Sequence, residues 1–247
     1  NSVTSAAKKF AALYDTYIKD NGGKVYLAVA PDKGYFLAEK NGYPALDYEK
    51  MLSLLQENMP FAEYVDLFSP LSLEDYYKTD THWRQERIID ASRVLAAAMG
   101  GRGIGDYTIE KANVPFYGVY YGQSALPLPS ETLYYVTNDI LDGCPVTNLE
   151  TGKSYTGTVD FEKETGKDPY EMFLSGASPL IVIENPNAET EKELIVFRDS
   201  FGSSMAPLLV SDYSKVTLVD TRYIAPRLIG NFVDFENADV LFLYSTL

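Results

Sequence analysis

One histidine, one cysteine and one tryptophan are all that 247 residues hold of three chemically versatile side chains. A lone Cys144 excludes an internal disulfide and a thiolate metal cluster. It lies in Asp142-Gly143-Cys144-Pro145, a turn pattern, and a Cys–His nucleophile would have to borrow His82, the single imidazole. Asp80 and His82 with Asp199 as a third ligand make a metal set poorer in His and Cys than zinc or iron sites use. Neither a metal nor a cofactor is expected. Basic residues are scarce as well: 21 against 35 acidic ones, a formal charge of −14. Such a chain repels nucleic acid and anionic lipid, so no nucleic-acid partner is expected. No signal peptide and no apolar run of membrane-spanning length is present. The chain starts without Met, which fits an extracytoplasmic protein, secreted or cell-surface anchored, whose leader or anchor is absent from this sequence.

What is abundant is apolar and aromatic. The chain is 46% hydrophobic, enough for a core, and its length fits one α/β domain over residues 1–247. Twenty Tyr and twelve Phe suit two readings, a Tyr-rich strand composition or a cleft in which sugar rings stack. Periodicity predicts helices over residues 5–20, 48–56 and 84–99, the last with Thr81 as its cap. Apolar runs predict strands at 24–30, 61–67, 180–185, 192–197, 216–220 and 238–245. Between the two α/β stretches, residues 101–175 carry short aromatic segments parted by Gly, Pro and Asn, a β-rich insertion of antiparallel strands. It is placed either over the site or as a stabilising decoration away from it.

Three residues carry the chemistry. Ser200 closes an apolar run and precedes a helix-like segment. That turn would raise its hydroxyl above the sheet edge and aim the first helical N–H groups at an oxyanion. The surroundings are not GxSxG, and a helix cap is the competing reading. His82 is either a base or a packed ring beside Trp83. Asp80 lies two residues before it, on the same side of an extended backbone, and could orient the imidazole. Lys33 follows the first strand and Arg222 follows VTLVD. Each is a candidate for substrate oxygen, with a salt bridge to Asp220 or Asp199 the alternative for Arg222.

The blocks YYKTDTHW, DPYEMFLSG, LIVFRDSFGSSMAPLL and VTLVDTRYI, in that order, resemble the bacterial DHHW protein family, which is similar to the SGNH-hydrolase-like acetyltransferases that modify alginate. The resemblance runs from about Val25 to Tyr244. It implies a flavodoxin-like three-layer α/β/α fold with a mostly parallel sheet. It also implies Asp80 as acid, His82 as base, Ser200 as nucleophile and Arg222 as the arginine of the D-x-R-Y block. Thr81 stands where the family name has its first His. Arg198 replaces the small residue before Asp-Ser, which puts close substrate approach in doubt. Gly176 and Asn185 are guesses for the oxyanion Gly and Asn; the Ser200 N–H is a better one.

The function expected is a serine-dependent ester hydrolase or O-acetyltransferase on an extracellular or cell-surface polysaccharide. Its partners would be a polysaccharide or acylated sugar and a membrane-linked acyl-donor protein. The alternative is a non-catalytic carbohydrate-binding or matrix-assembly protein on the same scaffold.

Overall fold

The structure, a computed structural model, describes residues 2–103 and 105–247. Its strands are β1 (Val25–Ala30), β2 (Glu63–Val65), β3 (Thr108–Phe116), β4 (Glu131–Thr137), β5 (Pro145–Asn148), β6 (Ser154–Thr156), β7 (Leu180–Glu184), β8 (Glu193–Arg198), β9 (Lys215–Val219) and β10 (Asp239–Ser245). Eight of them form a central sheet in the order β2-β1-β10-β8-β9-β7-β5-β6. The first five of that order run parallel, whereas β7, β5 and β6 pair antiparallel, so the fold is mixed α/β.

The apolar continuity of the parallel strands follows from burial on both faces. Tyr26, Ala28, Val196, Leu241 and Leu218 join one buried cluster with Leu95 and Met205. Their alternates Leu27, Val29, Phe197, Phe242 and Val219 join another with Ala7, Leu13, Met51, Leu55 and Ile229. Helices Ser2–Leu13 and Tyr48–Asn58 thus cover one side, and Ile89–Ala98 with the Phe201–Asp212 segment covers the other.

The N-terminal helix does not end at Leu13 but continues as a π turn, Tyr14–Ile18. The helix expected over 84–99 starts only at Ile89. Residues Gln85–Arg87 form a 3₁₀ turn, because the buried Gln85 amide is committed sideways, donating to the Ser204 carbonyl at 3.0 Å and accepting from Val136 N–H at 2.9 Å. Thr81 therefore caps nothing. Within 101–175, β3 and β4 form a separate antiparallel pair while β5 and β6 extend the edge of the main sheet. Cys144 is buried, and burial pushes its thiol up to about 11, which leaves it unreactive near neutrality.

β10 sits between β1 and β8, and the exits of all three are tied together. Asp32 after β1 accepts from the Thr246 hydroxyl at 3.0 Å. Asp199 after β8 accepts from Ser245 N–H and Oγ, each at 2.7 Å. The carboxyl edge of the parallel strands, where open α/β sheets bind ligands, is thereby closed into one rim.

Candidate active site

Asp80 and His82 lie at the tip of a tight loop. Its base is closed by Tyr77 N–H to the His82 carbonyl (3.1 Å) and Arg84 N–H to the Asp75 carbonyl (2.7 Å), with Tyr76 bridging Trp83. At the tip the backbone is bent, not extended. Asp80 Oδ1 accepts the N–H of His82 at 2.9 Å, a side-chain-closed turn of the kind Asp favours. The same oxygen receives His82 Nδ1 at 2.6 Å. The other imidazole nitrogen, Nε2, lies 2.7 Å from Ser200 Oγ. Residues 118 positions apart in sequence thus meet in one hydrogen-bonded chain, from carboxylate to imidazole to hydroxyl.

Burial fixes each member. Asp80 is 1% exposed and His82 8%, while Ser200 is half-buried. Burial alone would raise the Asp80 carboxyl. The hydrogen bond and charge of His82 and the N–H groups of His82 and Val119 outweigh it, so the group lies below its usual value and stays ionised. The His82 ring is sandwiched: Tyr170 stacks on it with centroids 4.0 Å apart and planes 12° from parallel, and Phe201 leans on it at 5.0 Å. Tyr170 is held by Ser204 Oγ at 2.8 Å, which also accepts from Trp83 Nε1 at 2.8 Å. Tyr170 and Phe201 are thus the supports of the ring, and Trp83 backs them through Ser204 and Phe201; the packed-ring reading beside Trp83 named neither contact.

Ser200 occupies the N-cap position of helix Phe201–Met205, yet its side chain caps nothing. Asp199 Oδ1 takes the Phe201 N–H at 3.0 Å instead, which leaves the serine hydroxyl for His82. That assignment of Asp199, together with its bonds to Ser245, also directs its carboxylate away from any shared site with Asp80 and His82.

The secondary candidates scatter. Lys33 Nζ donates to the carbonyls of Tyr77 (2.8 Å) and Lys78 (3.3 Å) and lies 4.5 Å over the Tyr120 ring. It serves the loop that leads to Asp80. Burial lowers its ammonium, opposed by Asp80 and Glu131. Arg222 grips the buried Asp220 with two nitrogens, Nε at 2.9 Å and Nη2 at 2.6 Å, the salt-bridge alternative. Arg198 is 1% exposed. Its guanidinium donates to the Gly176 carbonyl at 3.2 Å and lies 3.7 Å from Asp220, so the side chain runs beneath the turn that carries Ser200. Gly176, at φ +73°, offers that carbonyl inward. Asn185 is buried and donates to the carbonyls of Val210 (3.1 Å) and Tyr213 (3.3 Å). β7 runs antiparallel to β9, with Glu184 opposite Lys215, so Asn185 sits at the sheet edge opposite Ser200.

Residues 50–219 match the model of the DHHW protein family. Among solved structures, a DHHW family protein from Eubacterium siraeum superposes with a TM-score of 0.77 at 19% identity, covering 99% of this chain and 84% of that one. PatB1 of Bacillus cereus carrying a sulfonyl adduct gives 0.73 at 22% identity over 99% and 87%. The O-acetyltransferase domain of Pseudomonas putida AlgJ gives 0.57 at 14% over 98% and 81%. At these identities the likeness is one of fold. A search of curated protein sequences returns no match.

Proposed function

Because the chain belongs to the DHHW protein family, and because its one histidine bridges an aspartate and a serine, we propose that it is a serine-dependent O-acetyltransferase or esterase acting on a polysaccharide outside the cytoplasm. The observation that carries the reading is the 2.7 Å approach of His82 Nε2 to Ser200 Oγ with Asp80 on Nδ1 at 2.6 Å. In this mechanism His82 takes the hydroxyl proton as Ser200 Oγ bonds to the acyl carbonyl carbon. The Ser200 N–H is the donor assigned to the oxyanion. The intermediate collapses when His82 returns the proton to the leaving oxygen, and an acyl-serine remains. A sugar hydroxyl or water then gives its proton to His82 and attacks the same carbon, and His82 passes that proton to Ser200 Oγ as the acyl–Oγ bond breaks, restoring the free serine. Asp80 keeps Nδ1 protonated throughout and stabilises the imidazolium.

The two covered faces of the sheet support the finer reading of a flavodoxin-like three-layer fold. The O-acetyltransferase activity of the AlgJ domain supports acetyl over larger acyl groups and transfer over hydrolysis. A carbohydrate acceptor fits the aromatic residues at 117–121, which adjoin Asp80 through Val119 N–H; Tyr117 and Tyr121 pair there with centroids 4.7 Å apart. Among the described residues no helix is long and apolar enough to cross a membrane. The burial of Arg198 supports an open approach to Ser200 and so favours the catalytic reading over the binding-only one.

The test is hydrolysis of an aryl acetate together with labelling by an aryl sulfonyl fluoride. Wild type should turn over the ester and acquire one sulfonyl group on Ser200, located by peptide mass spectrometry. Ser200→Ala should do neither. Equal rates in both proteins would overturn the assignment.

A further inference from the structure

We propose that Glu131, on the β3–β4 hairpin, is a positioning residue for Asp80, which makes the hairpin a working part of the catalytic centre. The inference rests on the Asp80–His82–Ser200 reading.

The backbone just ahead of Asp80 is held from outside. The Glu131 carboxylate accepts from Lys78 N–H at 2.9 Å, from Thr79 N–H at 2.6 Å and from the Thr79 hydroxyl at 2.6 Å. Charge-assisted bonds of this kind are about twice as strong as neutral ones. Lys33 completes the arrangement from the β1 side by taking the carbonyls of Tyr77 and Lys78. An anion therefore holds the N–H groups of this short stretch and a cation holds its carbonyls.

The hairpin also reaches the carboxylate itself. Val119 N–H donates to Asp80 Oδ2 at 2.9 Å, the oxygen that His82 does not use. Tyr120 N–H donates to the Thr79 carbonyl at 2.9 Å, and Gly118 N–H to the Thr79 hydroxyl at 3.2 Å. Gly118 gives independent support. Its backbone, φ −71° and ψ 175°, is open to any residue. Yet a Cβ there would come within 2.4 Å of both Asp80 Cβ and the Thr79 carbonyl oxygen. Glycine is required by proximity to Asp80 and not by conformation. A hairpin that served only as decoration would have no reason to press against the Thr79–Asp80 step.

A carboxylate that must keep imidazole within hydrogen-bond geometry tolerates little displacement; errors of about 1 Å cost roughly 10²-fold in rate. Glu131→Ala frees two N–H groups and one hydroxyl and loosens the loop. Aryl-acetate kcat is expected to fall about 10- to 100-fold, with KM held within about twofold. Glu131→Gln keeps an acceptor oxygen and should recover most of the loss. Gly118→Ala should reproduce the kcat-only defect from the other side of the contact.

The deciding measurement is a double-mutant cycle with Asp80→Asn, read as the rate of Ser200 sulfonylation, with circular dichroism on each variant. If Glu131 acts through Asp80, Glu131→Ala should change the rate less than about twofold once Asp80 is replaced. An equal fold-loss in both backgrounds would overturn the inference, as would full activity of Glu131→Ala beside a crippled Asp80→Asn. If Asp80→Asn is itself fully active, the triad reading fails instead. Should Glu131→Ala not fold, the same cycle is run with Glu131→Ser, which is too short to reach the Thr79 N–H, and with Gly118→Ala. Wild-type kcat in both of these variants refutes the role.

Discussion

Asp80→Asn is the sharpest perturbation available, because it changes one atom and leaves volume and shape alone. Three donors converge on the carboxylate: His82 Nδ1 at 2.6 Å, His82 N–H at 2.9 Å and Val119 N–H at 2.9 Å. An amide replaces one acceptor by a donor, so each of its two orientations sets N–H against N–H. One orientation confronts Val119. The other confronts His82 and forces the imidazole into the tautomer protonated on Nε2, which cannot receive the Ser200 proton. The lost charge can be sized separately. Unit charges about 4 Å apart at an effective dielectric of about 20 interact by ~4 kcal/mol. At ~1.36 kcal/mol per tenfold, that is about 10³ in rate. The tautomer adds to it, so kcat/KM should drop about 10³- to 10⁴-fold, the scale seen when a serine-protease triad loses its carboxylate. The assay is aryl-acetate hydrolysis, with circular dichroism as the control for folding. A folded Asp80→Asn protein within about tenfold of wild type would refute the role given to Asp80.

Three further outcomes are expected. Ser204→Ala removes the hydroxyl shared at 2.8 Å by Trp83 Nε1 and Tyr170 in a fully buried position; stranding the indole N–H should cost about 1–3 kcal/mol in urea unfolding. A loss below about 0.5 kcal/mol would contradict that accounting. Asn185→Ala should lower the melting temperature while leaving kcat/KM unchanged, since its bonds to Val210 and Tyr213 lie at the far edge of the sheet; a selective loss of activity would show that edge to be linked to the site. For pH, the Asp80 carboxyl is depressed in the fold, so its contribution to stability is complete above the unfolded value of about 4 and lost as pH falls through the lower folded value. The stability difference between wild type and Asp80→Asn should shrink as pH falls below about 4. A difference that widens below that pH would reverse the sign.

The sheet was readable because uninterrupted runs such as Val25–Ala30 and Asp239–Ser245 have few alternatives to double-sided burial. Their order was not, since β10 enters between β1 and β8 through contacts that no local pattern encodes. Asp80 and His82 were readable as a pair, though the device differs: a turn closed by Asp80 Oδ1 on the His82 N–H replaces the extended backbone. The helix assigned from residue 84 failed at its start because the Gln85 amide is drawn into distant bonds that override periodicity. Lys33 and Arg222 stand at strand ends, but a cation there is as easily consumed by carbonyls or by Asp220 as left for a ligand. Glu131 and Gly118 escaped notice because each acts across about 40 to 50 residues on a partner that sequence does not name.

The central position of β10 has a consequence for how the molecule comes into being. Lys33 and Ser200 stand at the exits of β1 and β8, which do not pair with each other and share β10 as their common neighbour. Contacts spanning some 215 residues, such as Val25 with Val240, must form before the rim closes, and contacts of such range form slowly. During synthesis the Asp80–His82 loop and then Ser200 therefore emerge before the strand that joins their supports. Protease resistance of the nascent polypeptide should appear only after Ser245 has left the ribosome.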